Sequence, residues 1–293
     1  MNSARPERLP LPIIVFFCLV GPLIAFAASA APEDVPPGKR LLAIGGSITE
    51  IVYALGEQDR LIARDTTSSY PAEAQDLPDV GYMRALSPEG VLSVNPDLIL
   101  AEDGSGPPEA IDVLRAADVE FVTVPEGYDR AAIRKKIETV AEALGVPEKG
   151  AVLADKVDAA LADAMSAAET ETPKKVLFVL STQGGRIMAS GTNTAADAII
   201  GLAGGENAIT GFEGYKPLTD EAVITAAPDV ILMMARGDHA TGNLSLLAMP
   251  AIAATPAGVS ASVVRIDGLL LLGFGPRTPE AVRRLNAALY GEG

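Results

Sequence analysis

Leu86-Ser87-Pro88-Glu89-Gly90-Val91-Leu92-Ser93-Val94-Asn95-Pro96-Asp97-Leu98-Ile99-Leu100 returns later in the chain. Its second copy is Leu218-Thr219-Asp220-Glu221-Ala222-Val223-Ile224-Thr225-Ala226-Ala227-Pro228-Asp229-Val230-Ile231-Leu232. The offset is a constant 132 residues, and 7 of the 15 positions are identical. Any two helix–strand units would share the apolar positions. A glutamate and a Pro-Asp pair in register are harder to obtain by chance, so the chain is read as two lobes of one design. Each copy predicts a short helix, a turn and a buried strand.

The same alternation extends outward. In the first half it predicts strands at 40–44, 61–63, 98–101 and 120–124, with helices at 48–55, 88–94, 110–117 and 129–144. Gly145 stops the last of these helices. The second half opens with the strand Lys175–Leu180, followed by a helix at 195–202. Strands alternating with helices of this length imply βαβ units and a mostly parallel sheet. Between the halves, an Ala-rich stretch from Pro147 to Glu171 carries Val152, Leu153, Val157, Ala160, Leu161, Ala164 and Met165 at helical spacing. A helix of that length spans roughly 36 Å. It reads as a stiff joint between lobes, or else as a peripheral helix of one large domain. The expected divisions are a signal peptide at 1–30, an N-terminal α/β lobe at 39–146, a linking helix at 147–172 and a C-terminal α/β lobe at 173–291.

Arg5 and Arg8 precede an apolar stretch from Leu9 to Ala28 that ends in Ala28-Ser29-Ala30. This is the pattern of a cleaved export signal. A retained membrane anchor is a second reading, and a lipoprotein attached through Cys18 a third. Cys18 is the one cysteine, so cleavage would leave a mature chain without disulfides, thiolate metal sites or a cysteine nucleophile. His239 is the one histidine, which argues against a zinc centre. The formal charge of −15 argues against nucleic acid and anionic membranes as partners.

Several segments carry a resemblance to a known family. They include Ile44-Gly45-Gly46-Ser47-Ile48-Thr49-Glu50-Ile51-Val52, Asp65-Thr66-Thr67-Ser68-Ser69-Tyr70-Pro71 and Val80-Gly81-Tyr82-Met83-Arg84-Ala85-Leu86-Ser87. Ala235-Arg236-Gly237, Met249–Ala257 and Gly273-Phe274-Gly275-Pro276-Arg277 complete the set. With these segments the chain resembles the helical-backbone solute-binding proteins of ABC importers, and within them the hemin-binding periplasmic proteins. The resemblance implies two Rossmann-like α/β lobes joined by one long backbone helix. It also implies a monomeric, non-enzymatic periplasmic carrier that delivers heme to a permease and ATPase complex.

Ferric heme can be held through a tyrosine phenolate. The resemblance places that axial ligand at Tyr70, although from the residues alone a tyrosine here equally anchors a loop. It places Arg236 across the cleft from Tyr70. Arg84 is a candidate for a heme propionate or for the cleft rim. Tyr82, Met83, Tyr128, Tyr215 and Phe274 are candidates for porphyrin contact, and each reads equally as core. His239 is a candidate second ligand or an exposed loop residue. Glu89 and Glu221 resemble the pair that docks on arginines of the permease; a helix dipole also favours them where they stand. A cobalamin or ferric-siderophore carrier is the nearest alternative. A secreted hydrolase is remote, because Gly45-Gly46-Ser47-Ile48-Thr49 lacks the last glycine of a nucleophile elbow. A metal-ion carrier would need more than one histidine.

Overall fold

The computed structural model describes residues 38–235 and 239–291, together with Met1. Apart from Met1, the expected signal peptide lies outside the described residues.

The first half builds β1 (Leu41–Ile44), α1 (Gly46–Ala54), β2 (Leu61–Arg64), α2 (Pro88–Ser93), β3 (Leu98–Glu102), α3 (Pro108–Ala116) and β4 (Glu120–Val124). The strands form one all-parallel sheet in the order β2-β1-β3-β4. β1 is buried at every position. Its unbroken Leu-Leu-Ala-Ile run is what a strand covered on both faces requires.

α4 (Arg130–Leu144) and α5 (Pro147–Ala167) follow. Asp129 caps α4 through the N–H of Ala132, and Gly145 ends it at φ 74°. Only two residues separate the helices, so they pack back to back. A Cβ on Gly150 would lie 2.3 Å from that of Ala141, so glycine permits this close approach. α5 buries Gly150, Ala154, Val157, Leu161 and Ala164. Val152 points away and is 70% exposed, unlike its place in the expected apolar stripe.

The second half contains β5 (Lys175–Ser181), β6 (Met188–Ser190), α6 (Ala195–Leu202), β7 (Glu206–Asn207), β8 (Tyr215–Pro217), α7 (Asp220–Ala226) and β9 (Val230–Ala235). Then come α8 (His239–Leu247), α9 (Pro250–Ala253), α10 (Pro256–Val259), β10 (Val263–Asp267), α11 (Gly268–Leu272) and α12 (Thr278–Tyr290). This sheet is mixed. β10-β9-β5 run parallel, β6 and β8 extend the sheet antiparallel, and β7 pairs with the start of β5.

The repeated segment does the same work in both halves. Ser87 and Thr219 cap α2 and α7 by accepting the N–H of Gly90 and Ala222. Asn95 and Ala227 both take a left-handed conformation, at φ 51° and φ 45°. The Pro-Asp pair then starts the strand. Asp97 accepts from the N–H of Arg40 at 2.8 Å, and Asp229 from that of Lys175 at 2.9 Å. Each aspartate thus clips the beginning of the neighbouring parallel strand.

One apolar cluster runs from Leu41 in β1 through Val140 in α4, Leu161 in α5 and Phe178 in β5 to Leu285 in α12. The two sheets therefore share a core through α4, α5 and α12.

Candidate functional site

The loop after β2 is held from beneath by a buried carboxylate. Asp65 is fully buried and accepts the backbone N–H of Gly45 at 3.0 Å and that of Thr67 at 3.0 Å. The hydroxyls of Thr67 and Ser68 also donate to it, at 2.8 and 2.9 Å. Thr67 in turn accepts from the N–H of Gly46 at 2.9 Å, and Ser68 exchanges a hydrogen bond with Thr49 at 2.7 Å. A buried carboxylate is tolerated when its lone pairs are filled in this way. The Asp-Thr-Thr-Ser run is thus a clamp joining this loop to the β1–α1 turn. It carries Tyr70, whose side is open to solvent: the residue is 46% exposed.

Beside this loop is a cavity of about 550 Å³ at the C-terminal ends of both sheets. Ligands of open α/β sheets bind at such ends. Tyr82, Met83 and Arg84 from the first half face Tyr215, Met234 and Leu269 from the second. Thr66, Thr67 and Ser69 complete one edge, so Tyr70 directly follows a lining residue. Tyr128 also lines the cavity and packs edge-on against Phe274 with centroids 5.2 Å apart. Burial pushes the Tyr128 phenol well above its ordinary value, helped by its 2.7 Å hydrogen bond to the Glu126 carboxylate. Burial also raises Tyr215. Both phenols are neutral near pH 7 with or without this shift, which suits walls that pack on an apolar surface.

Two ion pairs stand where the two halves meet, one lining the cavity and one beside the Tyr70 loop. Lys136, on α4, is 1% exposed and reaches Glu102 at 2.5 Å, Ser47 at 3.3 Å and the carbonyl of Gly273 at 3.3 Å. Arg277, just before α12, donates through Nε and Nη2 to Oε1 of Glu50 on α1. The same guanidinium lies over the Tyr70 ring, 3.6 Å from its centroid.

Of the residues expected at the site, the cavity brings together Tyr82, Met83, Arg84, Tyr128 and Tyr215, with Tyr70 on the adjoining loop position; Phe274 does not line it. Glu89 and Glu221 stand apart from it, exposed in the first turns of α2 and α7. Arg236 lies outside the described residues, and so does the side chain of His239. Sequence reasoning did not single out Glu50, Glu102, Lys136 or Arg277 as site residues. The available signal was a charge on an apolar helix face: Lys136 stands among Ile133, Ile137 and Val140, and Glu50 among Ile48, Ile51 and Val52.

A family model described as periplasmic binding protein matches residues 41–269. The chain is 46% identical to the periplasmic heme-binding protein BhuT, solved in complex with two hemes. That match has a TM-score of 0.82 and covers 86% of this chain and 98% of that one. The chain is 30% identical over 198 residues to an ABC transporter substrate-binding lipoprotein, YvrC, of Bacillus subtilis; the match covers 66% of this chain and 63% of the relative. It is 28% identical over 226 residues to a vitamin B12-binding protein of Yersinia pseudotuberculosis, covering 76% of each.

Proposed function

The chain belongs to the periplasmic binding protein family, and on that premise we propose that it captures heme in its cleft and delivers it to the permease of an ABC importer. Tyr70 binds the ferric iron through its phenolate oxygen. Tyr82, Met83, Tyr128 and Tyr215 pack on the macrocycle. Arg84 receives a propionate. Arg236 and the side chain of His239, which lie outside the described residues, are assigned to the heme pocket, Arg236 by resemblance as the partner of Tyr70 and His239 as a further ligand. Glu89 and Glu221 orient the carrier on the permease, which works with its ATPase. The chain acts as a monomeric carrier and not as an enzyme, and reaches the periplasm with residues 1–30 removed.

The observation that carries this reading is an apolar and aromatic cleft with an exposed, loop-borne tyrosine beside it, in a chain 46% identical to a heme-binding protein. Heme matches that cleft chemically: a flat apolar body, a hard Fe(III) centre and anionic edges. Anionic ferric chelates match it less well, because Glu102, Glu126 and Asp267 also line the cavity.

Hemin titration of wild type, Tyr70→Ala and His239→Ala, followed in the Soret region, tests the reading. Wild type is expected to give a high-spin tyrosinate spectrum that Tyr70→Ala abolishes. A wild-type spectrum identical to free hemin overturns it. The likeness to a vitamin B12-binding protein supports cobalamin as a second cargo class. Binding of cyanocobalamin without binding of hemin would establish that reading in place of the first.

A further inference from the structure

We infer that Arg277 is a positioning residue for Tyr70, held in place by Glu50, so that the iron-binding phenol is set by groups from both ends of the described chain. The inference deepens the proposed function and rests on its assignment of Tyr70 as the ligand.

Three observations combine. Among the described residues the Tyr70 hydroxyl has no hydrogen-bond partner, so none of them fixes the ring at that end of the side chain. The Arg277 guanidinium lies flat enough on the ring to bring its central carbon to 3.6 Å from the centroid. That guanidinium is itself anchored, because two of its nitrogens donate to a glutamate whose side chain is 5% exposed. A ring on an exposed loop would otherwise exchange among staggered rotamers. Stacking removes that freedom before the ligand arrives, which lowers the ordering cost of binding. The same positive charge offsets the negative charge on the phenolate oxygen once iron is bound. Arginine is suited to both tasks: its planar fork can satisfy Glu50 along one edge while its face covers an aromatic ring, and lysine cannot reproduce this.

The test uses Arg277→Gln, Arg277→Lys and the paired variant Glu50→Gln/Arg277→Gln. The paired variant is needed because removing Arg277 alone strands a buried carboxylate and could unfold the chain. In 3-fluorotyrosine-labelled apo-protein, the Tyr70 fluorine resonance is identified by its loss in Tyr70→Phe. It is expected to narrow and to move toward the free amino-acid position in the paired variant. An unmoved resonance overturns the inference.

Hemin transfer to apomyoglobin is expected to accelerate about 3- to 30-fold in the paired variant, with partial recovery in Arg277→Lys. In a Tyr70→Ala background the same change should leave transfer unaltered. Equal acceleration there would assign Arg277 a merely structural role and overturn the inference. If wild type gives no Tyr70-dependent hemin spectrum, the heme reading fails, while the fluorine measurement still decides the role of Arg277.

Discussion

Nζ of Lys136 lies 2.5 Å from Oε1 of Glu102, with the lysine 1% and the glutamate 12% exposed. The lysine also donates to the carbonyl of Gly273 in the other half, so all three of its protons have acceptors. Such a pair gains little over an apolar replacement but costs much when broken. Lys136→Ala is therefore expected to destabilise by about 3–5 kcal/mol, because it leaves the Glu102 carboxylate beside a cavity without its cation. Lys136→Met/Glu102→Gln is expected to recover most of that loss. Urea unfolding of the three proteins decides; a double variant no more stable than Lys136→Ala contradicts the argument.

Asp65 makes a different prediction, because its partners are chiefly neutral donors. Asp65→Ala strands the N–H groups of Gly45 and Thr67 in the interior and releases the hydroxyls of Thr67 and Ser68. At about 1–3 kcal/mol for each buried group left unpaired, the loss is expected to be at least 2 kcal/mol. Asp65→Asn keeps an acceptor oxygen and is expected to fall between. Because the clamp holds the Tyr70 loop, Asp65→Asn should also weaken hemin binding more than its stability loss alone explains. Thermal melts paired with hemin titrations check both parts. A hemin affinity unchanged in Asp65→Asn would separate the clamp from the site.

The two halves and their parallel strands are legible in the sequence because strands covered on both faces appear as unbroken apolar runs. Leu41–Ile44 and Val176–Val179 are fully buried for that reason. The antiparallel extension is not legible. β6 and β8 are three residues each, and all of Tyr215–Pro217 is exposed, so neither length nor alternation signals a strand. At the site, Tyr82, Met83 and Arg84 could be proposed because they share one local segment. Arg277 could not be tied to its role: its partner Glu50 is 227 positions away, and no local pattern records that contact. Charges on apolar helix faces are readable, but their partners come only from the fold.

Glu50 gives the pH dependence its sign. Burial raises its pKa above the ordinary value of 4.5, although Arg277 opposes the shift. Between the unfolded and folded values the native state holds more protons than the unfolded chain, so stability falls as pH rises there. The contribution from Glu50 is thus fully present below about 4.5 and is lost as pH climbs through the higher folded value. Glu50→Gln removes this term. The stability difference, wild type minus Glu50→Gln, is expected to decline on going upward from pH 4.5 and then level off. Denaturant unfolding at half-unit pH steps measures it, and a difference that grows with pH would reverse the assignment.

Ala227 sits where its repeat partner is Asn95, and both are left-handed and precede proline. For alanine that conformation costs roughly 1–2 kcal/mol, whereas asparagine tolerates it through local hydrogen bonding. Ala227→Asn is expected to stabilise by about 0.5–1 kcal/mol, a rise in melting temperature of about 1–4 °C for a chain of this size. Ala227→Gly removes the same strain but gives the unfolded chain more freedom, so its gain should be smaller. Ala227→Val adds a β-branch at positive φ and should destabilise. The order Asn above Gly above Ala above Val in melting temperature is the expected result. If Val matched the wild type, the left-handed turn would not be under the strain its backbone angle implies.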